Sequence, residues 1–67
     1  MNYPGFSTNG LLMMLGGIRD ALAFDDNTPA GQEKPFGVRE FPAWRQEANA
    51  LEEELESRTV RFTKVAW

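Results

Sequence analysis

The chain has 67 residues, carries a formal net charge of −3 and contains neither cysteine nor histidine. The absence of cysteine excludes a disulfide framework, a zinc site with thiolate ligands and a thiol nucleophile. The absence of histidine excludes an imidazole base and a Ser-His-Asp triad. The excess of acidic residues argues against a protein that coats nucleic acid, so we expect no direct contact with nucleic acid.

Length sets a second limit, because residues 1–67 are enough for only one small domain. A chain of this size buries only about 60% of the surface that its unfolded form exposes. Small natural domains usually add disulfides, a metal ion or a partner to become stable. The sequence gives little support for the first two and we expect no cofactor, so a partner is the remaining source of stability.

A helix is predicted over residues 8–24, after an extended arm formed by residues 1–7. Ser7, Thr8 and Asn9 are each suited to cap the start of this helix. Apolar side chains then point almost all the way round it, and a helix of this kind is expected to be buried all round. The apolar positions are Leu11, Leu12, Met13, Met14, Leu15, Ile18, Ala21, Leu22, Ala23 and Phe24.

Two glycines, Gly16 and Gly17, lie in the middle of this predicted helix. Together they destabilise a helix by roughly 1–2 kcal/mol relative to alanine. One interpretation is a smooth patch where another backbone comes close. The other is a kink, or a helix that stops at Leu15 and restarts, and the sequence leaves both open.

The apolar N-terminal segment does not have the features of a membrane or secretory segment. Its uncharged stretch ends at Ile18, and the dense apolar part is far shorter than the roughly 20 residues that a membrane span needs. It also lacks the basic leader and the cleavage site of a secretory signal. We therefore expect no membrane span and no signal peptide, and an intracellular or particle-associated location.

Residues 25–37 are predicted to form a long loop, because proline, glycine, aspartate and asparagine punctuate this stretch. Asp25, Asp26 and Asn27, together with Asp20, offer oxygen ligands of the kind that calcium prefers. Their spacing does not follow the pattern of an EF-hand loop. A capped helix end followed by a turn is the preferred interpretation.

A second helix is predicted over residues 42–57, where apolar residues recur at intervals of three and four. Pro42 suits the first turn, and Glu54 and Arg58 are spaced for an i,i+4 ion pair. The opposite face is rich in glutamate, and residues 42–56 carry a net charge of −4. The apolar stripe consists of Phe41, Trp44, Ala48, Leu51 and Leu55.

The C-terminal residues 59–66 are rich in β-branched and aromatic side chains and are predicted to form a strand. Residues 36–41 resemble a second, shorter strand, which would complete a single βαβ unit. The predicted fold class is therefore α+β. Two strands alone make a poor sheet, so either another chain completes it or 36–41 is not a strand.

The leading functional hypothesis is a structural or interaction subunit that docks into a larger protein assembly, such as a virion or another multi-subunit particle. It depends on a surplus of apolar residues over what so short a chain can bury, and on aromatic residues near both ends. The expected partners are larger protein subunits, and self-association is left open. The predicted partner-binding residues are Tyr3, Phe6, Leu11, Leu12, Met13, Met14, Leu15 and Trp67.

The alternative hypothesis is a small acidic regulator or inhibitor that uses the glutamate-rich face of the second helix, between Glu47 and Glu56. A solvated helix face explains the same residues without any function. An enzyme is not expected, because no histidine, cysteine or matched pair of carboxylates is evident.

Overall fold

Two helices form the regular structure of residues 3–67, which a computed structural model describes. A 3-10 turn spans Tyr3–Gly5, helix α1 spans Thr8–Asp26 and helix α2 spans Pro42–Ser57. The helices pack against each other, and no strand occurs within the described residues. Both helices are thus confirmed, with α1 two residues longer than predicted, whereas the α+β class is wrong and the described chain is all-α.

Within the described part of the predicted extended arm, residues 3–5 form a turn. Within Tyr3–Gly5 the backbone forms a 3-10 turn, and the Phe6 N–H group donates to the Tyr3 carbonyl at 3.0 Å. Met1 and Asn2, the rest of that arm, lie outside the described residues. Ser7 caps α1, because its hydroxyl oxygen accepts the N–H group of Gly10 at 3.0 Å.

The core lies between the two helices. Leu11 and Leu15 of α1 are fully buried, as are Leu51 and Leu55 of α2. Val65, near the C-terminus, is also buried in this cluster. The chain is nevertheless elongated, since its radius of gyration of 12.9 Å exceeds the roughly 11 Å expected of a compact chain of this length.

Helix α1 is not buried all round, contrary to the sequence prediction. Met13 is 73% exposed and Phe24 is 61% exposed. Together with Gly17 and Asp20 they recur at intervals of four, three and four, which places them on one face of the helix. One side of α1 packs on α2, and residues 63–66 of the C-terminal segment lie beside another side. The face that contains Met13 and Phe24 stays open.

Helix α1 runs through Gly16 and Gly17 without interruption, so the prediction of a stop and restart is wrong. A Cβ atom added to Gly17 would meet nothing within 4 Å, so no other part of the described chain approaches it closely. Gly17 therefore has no packing role inside this structure, whereas a Cβ atom at Gly16 would lie 3.6 Å from the Arg19 guanidinium.

A buried carboxylate joins the end of α1 to the loop that follows. Asp25 is 1% exposed, and its two oxygens accept the backbone N–H groups of Phe36 at 3.0 Å and of Val38 at 2.8 Å. A negative charge near a helix C-terminus is unfavourable with respect to the helix dipole. The two hydrogen bonds offset this cost, so Asp25 fixes where the loop returns to the helix.

Residues 36–41 form a turn and not a strand, so the predicted βαβ unit is wrong. Gly37 has a φ of +66°, and its carbonyl accepts the N–H groups of Glu40 and Phe41. A Cβ atom at Gly37 would lie 2.6 Å from the Phe41 ring, so the position requires glycine. Together with the hydrogen bond from Val38 to Asp25, this arrangement uses the backbone groups that a neighbouring strand would need.

The predicted strand at 59–66 is also wrong, because side chains bond to the backbone there in place of a neighbouring strand. Arg19 of α1 donates to the Thr63 carbonyl at 2.6 Å, and the Glu52 carboxylate of α2 accepts the Val65 N–H group at 2.9 Å. Arg39 donates to the Trp67 carbonyl. The segment has no regular secondary structure, and it packs Val60, Phe62, Val65 and Trp67 against the core without a ladder.

Arg58 ties the end of α2 to the start of the chain. Its guanidinium group donates to Glu54 at 2.9 Å, which confirms the predicted i,i+4 pair. It also donates to the Thr8 hydroxyl at 3.0 Å and to the Tyr3 carbonyl at 3.2 Å. This arginine therefore closes the second end of the helix pair, opposite the end that Asp25 holds.

Helix α2 ends in a Schellman motif with threonine at the position that glycine usually occupies. The Val60 N–H group donates to the Leu55 carbonyl, and the Thr59 N–H group donates to the Glu56 carbonyl. Thr59 has a φ of +58°, a left-handed conformation that a β-branched residue rarely adopts. The motif thus stores backbone strain at Thr59.

Substitution of Asp25 by asparagine is expected to lower the free energy of unfolding by about 1–3 kcal/mol, because a buried N–H group would then face an amide NH2 group. Asp20 on the exposed face of α1 provides a matched control, and Asp20→Asn should change stability by less than about 0.5 kcal/mol. Urea unfolding followed by circular dichroism measures both variants. Equal losses would contradict the role assigned to Asp25.

Substitution of Thr59 by glycine is expected to raise the free energy of unfolding by about 1 kcal/mol, because glycine adopts positive φ without the steric cost of a Cβ atom. Thr63, in the C-terminal segment, provides the control, and Thr63→Gly should be neutral or destabilising. Thermal unfolding of the two variants distinguishes them. A lower stability of Thr59→Gly than of the parent chain would show that Thr59 is not strained.

Candidate functional site

An open groove of about 510 Å³ runs along the exposed side of α1. Its first wall spans residues 14–24 of that helix, a rise of about 15 Å. The wall begins at Met14, passes the flat surface at Gly17 and ends at the ring of Phe24. Ile18, Asp20 and Ala21 complete this side of what is called the α1 groove below.

The second wall of the α1 groove comes from α2 and from the loop before it. Trp44, Glu47 and Leu51 contribute from α2, and Phe36 contributes from the loop. The Phe36 ring lies 6.0 Å from that of Phe24 and 6.2 Å from that of Trp44, both in edge-on geometry. This aromatic row closes one end of the groove and links α1 to α2.

The α1 groove is apolar inside and acidic at its rim. Of the residues that line it, only Asp20 and Glu47 carry charge, and both are acidic. Arg19, the neighbour of Asp20 in sequence, instead donates to the Thr63 carbonyl on another side of α1. The groove therefore presents apolar surface together with two negative charges, and none of the residues within 3–67 that line it is a cation.

Glu47 also acts on Tyr3. A hydrogen bond with the Glu47 carboxylate is the largest cause that raises the pKa of Tyr3 to about 12, and burial and the negative charge of Glu47 add to it. A carboxylate accepts the phenolic hydrogen only while Tyr3 is protonated. This contact ties the N-terminal turn to α2 beside the groove.

The predicted partner-binding residues divide between core and surface. Leu11 and Leu15 are fully buried in the core. Leu12, Met14 and Tyr3 are partly buried against that core, whereas Phe6 and Met13 are exposed. Of the predicted set, only Met14 lines the α1 groove, and Met13 lies on the same open face of α1.

Trp67, the remaining predicted residue, packs partly against the core instead of extending into solvent. The Arg45 guanidinium lies 5.2 Å from its ring centre, a cation–π contact. Arg39 donates to its carbonyl and also forms a two-pronged pair with Asp26, with both N···O distances 3.0 Å. Those bonds lower the pKa of Asp26 and raise that of Arg39.

Sequence reasoning missed Phe24, Phe36 and Trp44 as surface residues of one site. A signal was present for α1, because Met13, Gly17, Asp20 and Phe24 follow helical spacing. Phe36 gave no such signal, since its position depends on the hydrogen bond between its N–H group and Asp25.

Most of the acidic side chains considered above for a regulator's contact face or for calcium binding form hydrogen bonds or ion pairs within the chain. Glu54 pairs with Arg58, Glu56 pairs with Lys64 at 3.3 Å, and Glu52 accepts the Val65 N–H group. Across residues 3–67 no set of three or more acidic side chains is placed to hold a metal ion. Asp25 and Asp26, considered above as calcium ligands, bond to the loop backbone and to Arg39 instead.

Comparison with protein-family models, with curated proteins and with solved structures finds no match for this chain. Neither helix within residues 3–67 is both long and apolar enough to cross a lipid bilayer.

Tyr3 is the only tyrosine of the chain, so its ionisation can be followed by ultraviolet absorbance alone. We expect its pKa to be about 12 in the folded chain, against 10.0 for an unperturbed tyrosine. Glu47→Gln should move the midpoint back towards 10.0, because it removes the carboxylate that accepts the phenolic hydrogen and, with it, the negative charge that opposes the phenolate. Titration in urea gives the unfolded reference. A Tyr3 midpoint that is the same in folded and unfolded chains would contradict this contact.

The raised pKa of Tyr3 also means that the contact between Tyr3 and Glu47 stabilises the fold only up to an alkaline pH. Because the folded pKa is raised, the contribution is fully present below pH 10 and is lost as the pH rises towards about 12. Stability falls as the pH rises because Tyr3 loses its phenolic proton at a lower pH in the unfolded chain than in the folded chain. Urea unfolding at a series of alkaline pH values measures this effect. The free energy of unfolding should fall with rising pH in the parent chain and should fall less in Glu47→Gln.

Proposed function

We propose that this chain is a non-catalytic interaction protein that docks onto a larger protein subunit through the α1 groove and the adjoining open face of α1. The observation that supports this proposal is the exposure of two large apolar side chains, Met13 and Phe24, on one face of α1. Contiguous apolar surface of this kind marks interaction sites on soluble proteins. Membership of a virion or of another multi-subunit particle stays a prediction.

The exposed apolar side chains at the groove and on the open face of α1 can supply part of the free energy that docking requires. Burying one large apolar side chain contributes about 1.5–3 kcal/mol. Met13, Phe24 and Phe36 are 73%, 61% and 45% exposed, so covering what remains of them would supply about 3–5 kcal/mol, near the lower end of the roughly 4–15 kcal/mol lost on association. Apolar burial alone therefore gives a weak complex, and polar contacts at the rim have to add to it.

The regulator hypothesis has less support. Its contact face requires free carboxylates on α2, and Glu52, Glu54 and Glu56 each accept a hydrogen bond or form an ion pair inside this chain. Contacts of these three carboxylates with a target would compete with those bonds. We therefore do not propose that face as the binding surface.

Site-specific photo-crosslinking in the native cells tests the proposal. A photoreactive phenylalanine analogue at Met13 should give one discrete adduct of higher mass, because Met13 lies on the proposed docking face. The same analogue at Asn49, an exposed position on α2, should give none. Adducts from both positions or from neither would contradict docking through α1.

Two substitutions at Gly17 show whether an adduct depends on the groove. Gly17→Gln places a long side chain in it, whereas Gly17→Ala adds only a methyl group. A Cβ atom at Gly17 meets nothing within 4 Å, and both variants gain up to about 1 kcal/mol of helix propensity, so both should fold. The adduct at Met13 should be lost in Gly17→Gln and kept in Gly17→Ala.

A further inference from the structure

The partner's contacting segment can be specified from the chemistry of the α1 groove, an inference that rests on the proposed function. We propose that the groove binds an amphipathic helix that carries apolar anchors on one face and lysine or arginine residues beside them. Three properties of the groove support this choice: its apolar interior, its length along α1 and the sign of its rim charges.

The apolar interior favours a helix over an extended peptide. An extended segment would bring backbone N–H and C=O groups into a groove whose lining offers few polar partners. A helix bonds its own backbone groups internally and presents only side chains. The described walls of the groove are two helices and a loop, and they include no strand edge to which an extended peptide could add.

The length of the groove fits a short run of helical anchors. The α1 wall from Met14 to Phe24 rises about 15 Å, and anchors at i, i+3 or i+4, and i+7 span about 10 Å along a helix. Gly17, near the middle of this wall, adds no side chain and leaves the surface flat there. A second helix can therefore approach α1 closely at this point.

The rim charges specify the flanking residues. Asp20 lies on the α1 side and Glu47 on the α2 side, and no cation from the described part of the chain lines the groove between them. Basic residues beside the anchors would face both carboxylates, whereas acidic residues would be repelled. A second copy of this chain is a poorer occupant, because a symmetric pairing through the groove would bring the acidic rims of both copies together.

Binding of three synthetic peptides tests the inference. Each is a stapled helix of about 15 residues with leucines at the anchor positions, flanked by two lysines, two glutamines or two glutamates. We expect the lysine peptide to bind most tightly, about fivefold tighter than the glutamine peptide and with the glutamate peptide weakest. The difference should shrink as the salt concentration rises.

Matched variants separate groove binding from attraction to an acidic protein in general. Asp20→Lys and Glu53→Lys change the net charge equally, but only Asp20 lines the groove. The preference for lysine should fall by about fivefold in Asp20→Lys and stay in Glu53→Lys. Gly17→Gln should abolish binding and Gly17→Ala should keep it. Shifts of the Met13 and Met14 methyl resonances report whether the peptide lies in the groove.

Several results would overturn this inference. They are equal affinity of the three peptides, equal effects of Asp20→Lys and Glu53→Lys, unchanged binding by Gly17→Gln, binding of no peptide, or a dimer of this chain that Gly17→Gln disrupts. If an adduct still forms at Met13 in the native cells, docking through α1 stands and only the basic helical partner is wrong. If the adduct is also absent, both proposals fall.

Discussion

The buried carboxylate of Asp25 is the interaction on which the shape of this molecule depends. It holds the loop by two backbone N–H groups, and one of them belongs to Phe36. The Phe36 ring then lies between the rings of Phe24 and Trp44 and closes one end of the α1 groove. A single side chain inside the protein thereby determines both the path of the loop and the form of the candidate site.

The C-terminal segment shows how side chains of so small a chain satisfy the backbone groups of an irregular segment without a sheet. Arg19 and Arg39 donate to carbonyl groups of this segment, and Glu52 accepts one of its N–H groups. These side chains come from α1, from the loop and from α2. The segment is therefore held by α1, by the loop and by α2. In return, Val65 adds a buried side chain to the core that the two helices form.

The sequence was sufficient to predict the helices but not the path of the segments that join and follow them. Helical spacing and Pro42 located α2, because these signals are local. The strand prediction at 59–66 failed because β-branched composition describes a preference for extended backbone, and a strand also needs a partner. The role of Asp25 could not be predicted for a similar reason, since its acceptance of hydrogen bonds from residues 36 and 38 is set by the tertiary structure.

The candidate site was predicted in part, as an apolar helix with more surface than the chain covers. Its placement was missed because the run from Leu11 to Leu15 was read as one unit, although a helix turns consecutive residues to different sides. Leu11 and Leu15 went to the core, and Met13 went to the open face. The position of a residue around the helix axis, rather than the density of apolar residues along the chain, decides whether it faces the core or the open face.

Gly17 connects the stability of the fold with the proposed docking. A glycine inside a helix costs about 1 kcal/mol relative to alanine, and nothing within 4 Å of its missing Cβ atom requires that cost here. The packing of this chain therefore gives no reason for glycine at position 17. The groove limits the size of the side chain instead, since a long side chain there would project from the wall against which a second helix would lie, whereas the methyl group of alanine would not. Gly17 is therefore a position where the proposed docking surface, and not the core of this chain, restricts the size of the residue.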